Sequence, residues 1–152
     1  MTYLLDTDTT ILMMRGLSIA APRTEKQKQR QEIGKRIIGA CRLHAGNGDV
    51  IGLSAITIAE LEFGACGADE PELERARMRR VLAPFARFDF GAEEPARHYG
   101  EVRATLESTG QCIGPNDLLI AAHALALSAT LVTNNIKEFK RVRGLKCGNW
   151  TV

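Results

Sequence analysis

Short apolar runs of strand length recur along the chain and break off where a helical pattern starts, which restricts the fold to buried strands alternating with covering helices. The first run, Tyr3-Leu4-Leu5, stops at Asp6 and passes through Thr7-Asp8-Thr9-Thr10 into Ile11-Leu12-Met13-Met14. The second, Val50 to Leu53, leads through Ser54 to Thr57 into Ile58 to Gly64. Strands that are apolar throughout, instead of alternating, are covered on both faces, as in a parallel sheet.

The rest of the chain keeps the same rhythm. A helix is predicted over Arg23 to Arg42, with Ile33, Ile37, Ile38 and Cys41 on one stripe and Gly46-Asn47-Gly48 as its stop. Glu70, Glu72 and Glu74 precede Arg75, Arg77, Arg79 and Arg80, so the next helix carries acid at its positive end and base at its negative end, stopping before Pro84. A third strand is predicted over Phe85 to Phe90, then helices over Glu93 to Thr109 and Asn116 to Leu127, the latter introduced by Gly114-Pro115. Thr130 to Thr133 and Leu145 to Cys147 are the remaining strands, with Phe139 and Trp150 as apolar anchors. The expected fold class is α/β, a three-layer α/β/α arrangement with a mostly parallel central sheet, in one domain over residues 1–152.

Composition removes several function classes. With 152 residues, 45% of them apolar and 25% charged, the chain is an ordinary globular domain, able to fold without disulfides or a structural metal. Its net charge of +2 is too small to argue for nucleic acid by itself. The four cysteines, Cys41, Cys66, Cys112 and Cys147, lie far apart with no C-x-x-C, which disfavours zinc and a disulfide framework. No basic-then-apolar leader opens the sequence, and Ile120 to Val132, its most apolar stretch, is too short to span a bilayer. A soluble cytoplasmic protein with no membrane partner is expected.

Three carboxylates stand out by position. Asp6 ends a strand and is also a natural helix N-cap. Glu60 follows Thr57 by three residues, the spacing of a capping box, and Asp117 sits in a first helical turn, where the helix dipole favours any acid. Each has a local explanation, but all three fall where a strand has ended or a helix has begun, and in a parallel sheet those ends share the ligand-binding edge. Carboxylates about 4 Å apart repel by about 4 kcal/mol at an effective dielectric near 20, so such a cluster must take up protons or a cation. A hard divalent ion, Mg²⁺ or Mn²⁺, suits oxygen ligands best. Helix N-termini at the same edge accept phosphate, and a metal that activates water and neutralises a phosphodiester oxygen supports hydrolysis without a serine or histidine nucleophile. His123 lies six residues beyond Asp117, off its face, and reads as a packed histidine instead of a ligand.

On these residues the sequence resembles the PIN-domain ribonucleases, and within them the VapC-type toxins of bacterial toxin–antitoxin pairs. The resemblance is carried by Leu4 to Thr10, Leu53 to Gly64, Ile113 to Ala124, and Leu131-Val132-Thr133-Asn134-Asn135 running on to Phe139, Val142, Gly144-Leu145 and Asn149-Trp150. It implies a metal-dependent endoribonuclease with Asp6, Glu60 and Asp117 as catalytic acids, Asp6 and Asp117 as metal ligands, and cleavage leaving 5′-phosphate and 3′-hydroxyl ends. Asp8, Thr133 and Asn135 are expected in support. Asn135 stands where the family often has a fourth acid, and Asp8 where it commonly has Asn. The partners implied are an RNA substrate, a cognate VapB-type antitoxin and a second copy of the chain in a homodimer. The helices over Thr57 to Gly67 and Glu72 to Leu82, with apolar Leu61, Phe63, Leu73, Met78 and Val81, are expected to form a groove for an antitoxin segment. The basic helix from Arg23 to Arg42, with seven basic and two acidic residues, is read chiefly as a solvated face, with RNA contact as its other role.

Two rival readings remain at this level. Asp6-Thr7-Asp8-Thr9-Thr10 also satisfies the D-x-D-x-T nucleophile motif of haloacid-dehalogenase-like phosphatases, with Asp6 phosphorylated and Asp8 as acid/base. A binding module without catalysis is the other.

Overall fold

The computed structural model describes residues 1–152. In chain order its elements are β1 (Thr2–Leu5), α1 (Thr7–Leu17), α2 (Glu25–Gly46), β2 (Val50–Ser54), α3 (Ala55–Cys66), α4 (Pro71–Leu82), β3 (Ala86–Phe88), α5 (Glu94–Ser108), α6 (Pro115–Ala126), β4 (Thr130–Val132), α7 (Ile136–Phe139) and β5 (Lys146–Gly148). The five strands form one sheet in the order β3-β2-β1-β4-β5, and every pairing is parallel. The α/β/α arrangement expected from the sequence is therefore present. No helix is long and apolar enough to cross a membrane.

Strand periodicity splits the core in two. Tyr3 and Leu5 of β1 join Ile51 and Leu53 of β2 in a cluster with Met13, Ile37, Leu61 and Met78, whereas Leu4 points the other way onto Leu118, Ile120, Ala121 and Leu131. Successive side chains of a strand face opposite sides, so helices α1 to α4 cover one face and α5 and α6 the other. The chain moves from β1 outward through β2 and β3, then returns to β4 on the far side of β1. That reversal leaves a crevice at the carboxyl ends of β1 and β4, the usual ligand position in an open α/β sheet.

Local signals explain most boundaries. α2 keeps the predicted stripe, burying Ile37 and Cys41, and runs on to Gly46 before Gly48 turns the chain with φ +85°. α4 has Glu72 and Glu74 in its first turn and Arg79 and Arg80 in its last. The third strand is only Ala86–Phe88, shorter than predicted, because the sheet pairs it with β2 over Gly52 to Ser54 alone. The one-turn helix α7 was not foreseen, since four residues carry no readable period. Nor was the crossing of α1 on α2, where a Cβ on Gly16 would meet the Arg30 carbonyl oxygen at 2.3 Å, so only glycine permits the approach.

Candidate active site

β1 delivers Asp6 to the centre of the carboxyl edge. Its backbone N–H donates to the Val132 carbonyl at 3.0 Å, extending the ladder one step beyond β1. Its side chain caps α1, accepting from the Thr9 N–H at 2.7 Å, so the local role read from the sequence and a place at the site coexist in one residue. Asp6 is 3% exposed, and burial raises its pKa above the usual carboxylate value, partly offset by the nearby Thr133 hydroxyl and by the Thr9 N–H.

Glu60 arrives differently from the sequence expectation. The cap of α3 is Ser54, whose Oγ accepts from the Ile56 N–H at 3.1 Å, and Thr57 lies inside the helix, so no Thr57–Glu60 capping box exists. Freed from a capping role, Glu60 Oε1 accepts from the Thr7 hydroxyl at 3.0 Å across the α1–α3 boundary. Asp117 is in the first turn of α6, where Pro115 sets the start and no side chain caps the helix.

These elements enclose a polar cavity of about 280 Å³, lined by Thr7, Asp8, Glu60, Gly114, Pro115, Asn116 and Asp117. Asp8 thus faces the same space as two of the predicted acids, while buried Asp6 is not among the lining residues. Asp117 feels all of them: its pKa is pushed up to about 6, first by burial and then by the charges of Asp6, Asp8, Glu138 and Glu60. Glu138, on α7, is an acid the sequence reading missed, because a one-turn helix had no signal to place it. Thr133 is fully buried, and its Oγ1 accepts from the Asn135 N–H at 2.9 Å, so the two supporting residues brace each other beside Asp6.

The donor set is chemically suited to a hard divalent cation, being all oxygen and negatively charged. No three acidic, imidazole or thiol groups stand close enough to grip one ion directly. Such a set fits an ion that keeps several of its own waters, as Mg²⁺ does.

His123 is a packed residue, as the sequence suggested. It is 1% exposed, its Nδ1 lies 2.8 Å from Ser54 Oγ, and its ring meets Phe88 and Phe90 edge-on. Burial lowers its pKa, so the neutral ring accepts the Ser54 hydroxyl proton while Ser54 caps α3. The segment after β4 offers Asn134 and Asn135 where the phosphatase alternative needs an acidic pair, so that reading lacks its metal-side acids.

A larger cavity of about 580 Å³ runs between α1, α3 and α4, with Met14, Leu61, Met78 and Val81 on its walls and Arg15 and Arg77 among its charged residues. Glu60 borders this groove as well as the polar cavity. The expected groove therefore exists, with two corrections. α1 supplies a wall that the sequence reading did not include, and Phe63, 83% exposed, and Leu73 do not line it.

A parallel α/β/α sheet with an acidic cavity at its topological switch defines a class of carboxylate-site proteins. The PIN-domain family pattern matches residues 17–145, a stretch that includes Glu60 and Asp117 and begins beyond Asp6. This chain belongs to the PIN-domain family. It is 45% identical to ribonuclease VapC2 of Rickettsia felis over 102 residues, covering 67% of this chain and 75% of that protein. With ribonuclease VapC1 of Haemophilus influenzae strain R2866 it shares 34% identity over 151 residues, 99% of each chain. Its structure resembles the crystal structure of VapBC2 from Rickettsia felis bound to a promoter DNA fragment, with TM-score 0.82, 35% identity and 99% of both chains covered.

Proposed function

We propose that this protein is a VapC-type toxin that hydrolyses RNA phosphodiesters with the help of Mg²⁺ or Mn²⁺. The observation that carries the reading is the convergence of Asp8, Glu60 and Asp117 on one polar cavity, with Asp6 buried close enough to disturb Asp117. Family membership and relatives that are ribonucleases support it.

Asp6 and Asp117 would hold the ion, which when bound supplies an activated water and neutralises phosphate charge. The Thr9 N–H keeps the Asp6 carboxylate in place. The uncapped N-terminus of α6 presents backbone N–H groups to a phosphate at the same cavity. Glu60, held at Oε1 by Thr7, takes a proton from the attacking water at Oε2; the water oxygen bonds to phosphorus, the bond to the 3′ oxygen breaks, and that oxygen takes up a proton from solvent, which leaves 5′-phosphate and 3′-hydroxyl ends. In the same reading the groove between α1, α3 and α4 takes an apolar segment of a VapB-type antitoxin, with a basic side chain directed at Glu60.

The decisive experiment is Asp117→Ala, assayed for EDTA-sensitive RNA cleavage and for growth inhibition on induction. Loss of both with an unchanged circular-dichroism spectrum is expected; full cleavage would refute the site. Hydrogen exchange with antitoxin present should protect α3 and α4, and an unprotected pair of helices would remove the groove from the reading.

A further inference from the structure

The Thr7 hydroxyl ties two helices together at the acidic edge. Its Oγ1 lies 3.0 Å from Glu60 Oε1 and 3.2 Å from Thr57 Oγ1. Both threonines are buried, Thr57 completely. A hydroxyl carries one proton and an ionised carboxylate only accepts, so a single arrangement satisfies all three groups: Thr57 donates to Thr7, and Thr7 donates to Glu60.

Glu60 needs such a restraint because of where it stands. It borders both the polar cavity and the apolar groove, and a glutamate has enough rotatable bonds to face either. Arg15, Arg77 and Arg80 line the groove and would attract its carboxylate. Thr7, by contrast, lines only the polar cavity. We propose that Thr7 is a positioning residue whose hydroxyl, fixed by Thr57, holds the Glu60 carboxylate toward the polar cavity and out of the groove. The inference rests on the reading of Glu60 as an acid of the reaction. It assigns a task to the threonine between Asp6 and Asp8, whereas a spacer there would need only to start a helix.

The test uses the full chain with Thr7→Val, which keeps the side chain's volume and removes the hydroxyl, and Thr7→Ser, which keeps the hydroxyl. Loss of a hydrogen bond to a charged group is expected to lower kcat of Thr7→Val on RNA by about 10-fold while KM stays within about 2-fold. Thr7→Ser should restore most of that loss, and Mn²⁺ binding measured by calorimetry should change far less than kcat in either variant. A crystal structure of Thr7→Val should show the Glu60 carboxylate turned into the groove. Native kcat in Thr7→Val, equal impairment in Thr7→Ser, or an unmoved Glu60 in that crystal would each overturn the proposal. Full cleavage by Glu60→Gln would instead overturn the role of Glu60 itself, and the crystal structure would still decide whether Thr7 sets its direction.

Discussion

Replacing Asp117 by asparagine should stabilise the metal-free protein and abolish the proposed cleavage, because its carboxylate is buried and stands among like charges. Its pKa is raised from 3.8 to about 6 by burial and by four neighbouring acids. A shift of about two units corresponds to about 3 kcal/mol, and solvent screening at this partly exposed position reduces that to about 1–2 kcal/mol. The sign follows from linkage. A carboxyl whose folded pKa lies above its unfolded value binds its proton more tightly when folded, so its charge penalises folding fully above about pH 6, and the penalty fades as pH falls toward 3.8. Asparagine has nearly the same shape and never carries that charge. In EDTA at pH 7.5, Asp117→Asn should therefore melt about 3–6 °C above the native protein, with the difference roughly halved at pH 5. Urea titrations at both pH values give the free energies directly. Adding Mn²⁺ should raise the native midpoint and leave that of the variant nearly unchanged. A variant no more stable than native at pH 7.5, or equally stabilised at pH 5 and pH 7.5, would refute the electrostatic account of this site.

Other substitutions probe separate parts of the argument. Asn135→Asp adds a full charge beside Thr133 and should tighten Mn²⁺ binding in calorimetry, whereas Asn135→Ala should reduce cleavage less than Asp117→Ala does. Gly16→Ala pushes a methyl group into the Arg30 carbonyl, and urea unfolding should show a loss of about 1–3 kcal/mol from the α1–α2 crossing. His123→Leu removes the partner of the Ser54 hydroxyl; a loss of about 1–3 kcal/mol in urea is expected, with measurable cleavage retained. Ser54→Ala should lower stability by about 2–3 kcal/mol, since it removes both the α3 cap and the partner of His123, whereas Thr57→Ala should leave that cap intact, a contrast that amide exchange at Ile56 can follow.

The local rules in this chain are strong enough to be read without a structure. Apolar runs at Tyr3 to Leu5, Ile51 to Leu53 and Thr130 to Val132 read as covered strands, and the helical stripes between them call for crossover connections, so a mostly parallel sheet is the expected arrangement, and the structure has it. The same rules bring Asp6 and Asp117 to one edge, because each marks the boundary of its own element, and boundary residues of a parallel sheet lie together. Glu60 borders the polar cavity from within α3 and not from its start: the capping box that offered it a local role does not form, because Ser54 caps the helix.

What the sequence left open depends on groups that meet only after the chain has folded back. Thr7 reaches Glu60 across 53 positions, and Ser54 meets His123 across 69, distances over which no periodicity or capping rule carries information. The Gly16–Gly34 crossing depends on how closely two helices approach, which neither glycine signals by itself. Glu138 acts on Asp117 only because α7 follows β4 at the site edge, and the groove has α1 as a wall only because α1 lies beside α3 and α4. Element type and edge position are set by interactions within a few residues, and they were legible in the sequence. Orientation, bracing and electrostatic coupling at the site arise from contacts between elements, and only the tertiary structure decided them.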